Sequence, residues 1–193
     1  MLELAPILGV LGGLVGVLDT VPYVRDIFRG ATRPHRGTWL IWGVLAIVAS
    51  LSQRADGASW SLLLTASQAF LTGLVFVLAI RHGEGGLAPA DVSLMAVAAA
   101  GLVGWMVVGE PIVAVVCVIV ADVCGAAMMT PKAYRDPYSE TLAMYALASL
   151  AGALAAGAVG GVDVSLLLYP IYYCVINGAL AVLISVRRRE PAW

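Results

Sequence analysis

The stretch LAPILGVLGGLVGVLDTVPYVRDIFRG, residues 4–30, is the first indication that this chain folds as membrane helices. Its first half is a continuous apolar run, and its second half carries Asp19, Pro22 and two arginines. A helix needs about 20 apolar residues to cross the roughly 30 Å hydrocarbon core of a bilayer. Because the arginines follow the run and no basic residue precedes it, we interpret it as a retained membrane helix and not as a cleaved signal peptide.

The composition of the whole chain agrees with this interpretation. Of its 193 residues, 61% are hydrophobic and 12% are charged, whereas soluble domains are about one quarter charged. A net charge of −1, without a basic stripe interleaved with aromatics, argues against nucleic acid as a partner. The three cysteines show neither a CxxC spacing nor a paired histidine, so we expect packing residues, no metal and no cofactor.

Apolar runs separated by polar residues, glycines and prolines cover most of the chain. We predict an all-α integral membrane protein of seven transmembrane helices joined by short loops. The predicted runs are 4–24, 38–53, 58–80, 89–108, 111–130, 140–160 and 164–186.

The basic residues predict the orientation of these helices, because basic loops resist translocation. With the N-terminus outside, only Arg54 of the 11 Lys and Arg residues lies on the outer side. A chain of six or eight helices would place one of the basic cytoplasmic segments on the outer side. We therefore expect a multi-pass protein of the inner or plasma membrane, with membrane lipid as a partner and a homo-oligomer left open.

The two halves of the chain align with each other at nearly constant separations of 104 to 106 residues. This indicates an internal duplication, and the odd number of helices between the copies makes the repeats parallel. The aligned pairs are 22–29 with 128–135, 61–64 with 165–168, and Thr72-Gly73 with Asn177-Gly178.

The duplication predicts a 3+1+3 organisation. The first three-helix repeat spans residues 1–86, the linker helix 87–109 and the second three-helix repeat 110–193. Parallel repeats of this kind enclose a cavity near the middle of the bilayer in many transporters. A non-transporting bundle is the alternative product of such a duplication.

The segment Pro22-Tyr23-Val24-Arg25-Asp26-Ile27-Phe28-Arg29 resembles the PQ-loop motif of the SWEET, SemiSWEET and PQ-loop transporters. That motif reads Pro-Gln followed by a basic-aromatic-basic stretch. The second copy, residues 134–142, is similar to its aromatic-basic and Glu-x-Leu part. Tyr23 stands in place of the Gln, and Met128 and Met129 in place of the second Pro-Gln. The resemblance implies a transporter of small polar solutes, with sugar as one candidate substrate.

Polar side chains inside the apolar runs are the candidate binding residues, since their burial in hydrocarbon is costly unless they face a cavity or a partner. By the resemblance, Asn177 and Thr72 match the pocket positions of the seventh and third helices. Gln68 and Tyr172 fall on about the same helix faces as these two, and Gln53 lies in the second helix. The alternative role for Asn177 is a hydrogen bond between packed helices.

Two membrane carboxylates, Asp19 and Asp122, are candidates for proton coupling. A carboxylate that exchanges its proton in each transport cycle links solute flux to the proton gradient. The alternative is an interfacial Asp19 and an Asp122 that bonds to a neighbouring helix.

Four residues near the cytoplasmic helix ends are candidates for a hinge or gate. Pro22 lacks a backbone N–H and bends a helix; the aromatic candidates are Tyr23, Trp39 and Tyr145. Aromatic residues at this depth more often serve as interfacial anchors.

The sequence carries no catalytic motif, and we expect no enzyme activity. Our interpretation is a transporter that alternates access to a small polar solute between two three-helix units. Two alternatives stay open: a non-transporting receptor or assembly protein on the same scaffold, and a PnuC-like vitamin or nucleoside carrier with the same 3+1+3 plan.

Overall fold

The computed structural model describes residues 4–55, 60–107, 111–162 and 164–189. Among these it describes the side chains other than those of residues 49–55, 60–68, 105, 111, 114 and 165. The described residues form α-helices joined by short connections and contain a single isolated bridge, between His35 and Glu84. The helices are α1 (Ala5–Leu18), α2 (Thr20–Phe28), α3 (Arg36–Ala55), α4 (Trp60–His82), α5 (Pro89–Val107), α6 (Pro111–Arg135), α7 (Leu142–Ala158) and α8 (Val164–Arg189).

Helices α1 and α2 form one continuous apolar segment, Ala5–Phe28. Pro22 has no N–H for the carbonyl of Leu18, and this missing bond separates the two helices at Asp19. Asp19 itself keeps helical angles, with φ −60° and ψ −32°. Each predicted apolar run therefore corresponds to one helical segment, which confirms the all-helical prediction.

Three of these segments are long and apolar enough to cross a membrane: Ala5–Phe28, Val115–Arg135 and Leu166–Arg189. Within the described residues, four further apolar helices span 10–17 residues each. The structure thus fits a helical membrane protein. The shorter helices are Arg36–Val48, Ala69–His82, Pro89–Gly104 and Leu142–Ala158.

The chain divides into two compact units. Unit 1 contains residues 1–32 and 132–193, and unit 2 contains residues 33–131. The chain passes from unit 1 to unit 2 after Thr32 and returns after Pro131, inside α6.

In unit 1, small residues allow close packing of α1 on α7 and of α7 on α8. A methyl group added at Gly12 would lie 3.2 Å from Cβ of Leu154 on α7. One added at Gly152 would lie 2.6 Å from the backbone nitrogen of Cys174 on α8. The backbones of α7 and α8 are therefore in direct contact at Gly152.

In unit 2, α3 packs against α4, α5 and α6. Ile41 of α3, Ala98 of α5 and Ala121 of α6 belong to one buried apolar cluster. The indole of Trp42 lies on Gly125, where an added methyl group would approach Nε1 to 2.7 Å.

The two compact units do not contain the same helices as the two predicted repeats. Helices α1 and α2 of the first predicted repeat belong to unit 1 together with α7 and α8 of the second. Most of α6 belongs to unit 2 together with α3 and α4. Because the repeats are defined by sequence alignment and not by contacts, the duplication stays a prediction.

Candidate functional site

Asn177 is buried in α8, with 5% of its surface exposed. Its Nδ2 donates to the carbonyl of Tyr173 on the same helix at 2.9 Å. Among the described residues, its amide oxygen accepts no hydrogen bond. An acceptor oxygen and the second N–H are thus available to a ligand.

The other predicted binding residues are distributed over both units. Tyr172 is half-buried in α8, five residues before Asn177, and its ring lies 6.2 Å from that of Tyr169. Thr72 is buried in α4 of unit 2. The side chains of Gln53 and Gln68 lie outside the described residues.

Asp19 is 1% exposed, between α1 and α2 of unit 1. Its Oδ1 accepts a hydrogen bond from the Thr20 hydroxyl at 2.9 Å. Its Oδ2 is buried and has no hydrogen-bond partner within the described part of the chain. A buried polar atom without a partner is rare in proteins and calls for an explanation by function or by an unseen ligand.

Asp122 and Trp39 lie in unit 2 and are both buried, with exposed fractions of 9% and 3%. The Asp122 backbone carbonyl accepts a hydrogen bond from Nε1 of Trp42 at 3.4 Å. Trp39 packs edge to face against Trp42, with ring centroids 5.3 Å apart. One tryptophan thus contacts both predicted functional residues.

The two predicted gate tyrosines of unit 1 meet on one carboxylate. The Tyr23 hydroxyl donates to Oε2 of Glu140 at 3.1 Å, and the Tyr145 hydroxyl donates to the same oxygen at 2.8 Å. Their rings lie 6.5 Å apart at 88°. Both tyrosines are fully buried, so they are interior residues of unit 1.

The remaining oxygen of Glu140 pairs with a buried cation. Oε1 forms an ion pair with the Lys132 ammonium, and the two side chains are 1% and 9% exposed. Lys132 also donates to the carbonyl of Ser139 at 3.2 Å. We call Glu140, Lys132, Tyr23 and Tyr145 the Glu140 cluster. It occupies the region where α6 ends and α7 begins.

Threonines connect the two motif copies next to the Glu140 cluster. The hydroxyls of Thr32 and Thr141 are 2.7 Å apart, and the Thr141 hydroxyl donates to Oδ2 of Asp26 at 3.0 Å. Residues 23–32 and 132–145 therefore contact each other inside unit 1. Pro22, the predicted hinge, is half-buried in α2 and so also lies within this unit.

Unit 2 has its own polar contact near the start of α3. Nε2 of His35 lies 3.7 Å from Oδ2 of Asp91, which also accepts the backbone N–H of Gly86 at 2.9 Å. The Thr38 hydroxyl donates to the carbonyl of Gly125 at 2.6 Å and joins α3 to α6.

Sequence reasoning did not assign a functional role to Glu140, Lys132, Thr141 or His35. Glu140 and Thr141 belong to the second motif copy, and Lys132 precedes Glu140 by eight residues with the opposite charge. The opposite charges of Lys132 and Glu140 could have suggested their ion pair. No feature of the sequence predicts the contact between Tyr23 and Glu140, which are 117 positions apart.

No protein-family model, no curated protein and no solved structure matches this chain. The candidate site is therefore argued from its own chemistry. It offers buried hydrogen-bonding groups and, among the described residues, one carboxylate oxygen without a hydrogen-bond partner, and groups of this kind can bind small polar groups or protons.

Proposed function

We propose that this chain transports a small polar solute across the inner or plasma membrane, as a seven-helix protein with its N-terminus outside. The observation that carries the proposal is the burial of Asp19, with its unpartnered Oδ2, and of Asn177 in helices that are otherwise apolar. Side chains of this kind inside membrane helices mark solute and proton pathways.

Alternating access between the two predicted three-helix units is the proposed mechanism. The chain crosses between the two compact units at Thr32–Arg33 and at Pro131–Lys132. Pro131 lies inside α6 and leaves the carbonyl of Ala127 without its helical N–H donor. A proline is a common cause of a helix kink, which supports Pro131 as a pivot.

The substrate class follows from the hydrogen-bonding capacity of Asn177. Its free amide oxygen and second N–H suit a solute with hydroxyl or amide groups. Sugars, as the motif resemblance implies, and nucleosides or vitamins, as in a PnuC-like carrier, both carry such groups.

A thermal-shift screen tests this proposal. We expect at least one sugar, nucleoside or vitamin to raise the unfolding temperature of the detergent-solubilised protein, and Asn177→Ala to abolish that rise. Thr130→Ala is the matched control, because Thr130 bonds to the i−4 carbonyl of its own helix as Asn177 does. A ligand whose effect is unchanged by Asn177→Ala would contradict the assignment of the site.

A receptor or assembly role is the rival from another functional class. Such a protein would bind its ligand without moving it. A solute that stabilises the protein in detergent but never enters proteoliposomes would favour the rival.

Proton coupling through Asp19 is a second candidate function, favoured by the unpartnered Oδ2. In the described part of the chain Asp19 forms no ion pair. We expect an inward proton gradient to accelerate solute uptake into vesicles, and Asp19→Asn to remove the acceleration. Glu84→Gln, a partly exposed carboxylate paired with Arg33, is the control. Equal uptake with and without the gradient in the unmodified protein would refute coupling.

A further inference from the structure

A groove runs between α7 and α8 at the end where α7 begins and α8 ends. It has a volume of about 390 Å³ and lies entirely within unit 1. On α8 it extends from Ala181 to Arg189, about 12 Å along the helix axis. Its walls are Leu142, Ala146, Ala181, Val182, Ser185, Val186 and Arg189.

The groove is apolar except near one end. Ala146 and Ala181 are small and leave the space between the helices unfilled, while the aliphatic side chains form the walls. The polar groups are the Ser185 hydroxyl and the Arg189 guanidinium, both in the last turns of α8. A ligand that fits this pattern has a long hydrocarbon part and a polar group at one end.

The three arginines that end α8 differ in what they bind. Nε of Arg187 donates to the backbone carbonyl of Tyr134 at 3.0 Å, and the Arg187 guanidinium lies 4.2 Å from the centre of the Tyr134 ring. Arg188 donates to the carbonyls of Pro137 and Glu140 at 3.1 and 2.6 Å. Arg187 thus joins α8 to the end of α6, and Arg188 joins α8 to the segment before α7.

Arg189 has a different position. Its side chain is exposed at the end of the groove. Among residues 4–55, 60–107, 111–162 and 164–189, it forms neither an ion pair nor a hydrogen bond. Its charge is therefore available to an anion at the point where the apolar groove ends.

We propose that this groove binds one acyl chain of an anionic phospholipid, with Arg189 contacting the head-group phosphate. The basic helix ends predict that this side of the protein faces the cytoplasmic leaflet, where anionic lipids attract Lys and Arg. Arginine matches phosphate geometry with two parallel N–H donors, and the Ser185 hydroxyl adds a donor near the same end. This site is separate from the proposed solute site and does not depend on transport.

The test compares lipids in the purified full-length protein. We expect phosphatidylglycerol to raise the unfolding temperature in detergent by several degrees more than phosphatidylcholine with the same acyl chains. Arg189→Ala should abolish this difference. Arg81→Ala is the matched control, because Arg81 is an exposed arginine in the last turn of α4 and is not one of the residues that line this groove.

A second variant tests the groove without changing charge. Ala181→Phe fills the space between α7 and α8, and we expect it to lower the number of phosphatidylglycerol molecules retained in native mass spectra. If this variant does not fold, the comparison of Arg189→Ala with Arg81→Ala still decides the question.

Two results would overturn the proposal. Equal loss of phosphatidylglycerol stabilisation in Arg189→Ala and Arg81→Ala would indicate general attraction of basic residues to lipid. A lipid-free dimer that Ala181→Phe converts to a monomer would show that a second copy of the chain fills the groove.

Discussion

Lys132 and Glu140 form an ion pair that is almost completely shielded from solvent, with 9% and 1% of the two side chains exposed. Tyr23 and Tyr145 donate to the other oxygen of the same carboxylate. The pair lies where the chain re-enters unit 1 after Pro131. The buried charges are thus satisfied on both carboxylate oxygens, as their desolvation requires.

We expect Lys132→Met to destabilise the protein by about 3–5 kcal/mol, because it leaves the Glu140 carboxylate buried without its cation. The double variant Lys132→Met with Glu140→Gln should recover part of this loss, since it removes both charges. Unfolding free energies in mixed micelles would measure the effect. The exposed Arg25–Asp26 pair is the control, and Arg25→Ala should cost less than about 1 kcal/mol. If Lys132→Met and Arg25→Ala lowered the unfolding free energy by similar amounts, the buried ion pair of Lys132 with Glu140 would be contradicted.

Gly152→Ala should destabilise the protein, because the added methyl group would lie 2.6 Å from the backbone nitrogen of Cys174. Overpacking of this kind typically costs about 1–3 kcal/mol. Gly16→Ala provides the matched comparison, since its methyl group would make an ordinary 3.7 Å contact with Cβ of Ala151. The unfolding temperatures of the two variants would test the contact between α7 and α8. Equal temperatures would contradict the direct backbone contact of the two helices at Gly152.

Thr38→Val should destabilise unit 2 by about 1 kcal/mol. The buried Thr38 hydroxyl donates to the carbonyl of Gly125 in addition to that carbonyl's bond within α6, and valine removes this bond between the two helices. Thr130→Val removes a hydroxyl that bonds only within its own helix, and it should cost less. A smaller loss for Thr38→Val than for Thr130→Val, measured by thermal unfolding, would contradict the α3–α6 link.

Pro131→Ala should slow transport while leaving solute binding intact. Alanine restores the N–H donor for the carbonyl of Ala127 and stiffens α6 at the point where the chain passes from unit 2 to unit 1. Pro89→Ala is the control, since Pro89 is the first residue of α5, where no intrahelical N–H bond is lost. Unchanged uptake rates in Pro131→Ala would remove the pivot from the mechanism.

The helices were predictable because each is an apolar run ended by glycine, proline or charge. The packing of α1 on α7 was not, because helices that are apolar on nearly all sides do not reveal which face meets which neighbour. Asp19 and Asn177 could be singled out as candidates from the sequence because they interrupt apolar runs, and the structure buries both. Tyr23 and Tyr145 were predicted as gate residues, but their shared contact with Glu140 was not, because Tyr23 and Glu140 are 117 positions apart.

The most direct test of transport is solute entry into proteoliposomes. We expect at least one sugar, nucleoside or vitamin to enter these vesicles faster than it enters protein-free vesicles. We also expect Asn177→Ala, which removes hydrogen bonds worth about 1.4 kcal/mol to the bound solute, to lower the rate about tenfold. Transport through this site would be contradicted if no solute entered faster than into protein-free vesicles, or if Asn177→Ala and the unmodified protein gave equal rates.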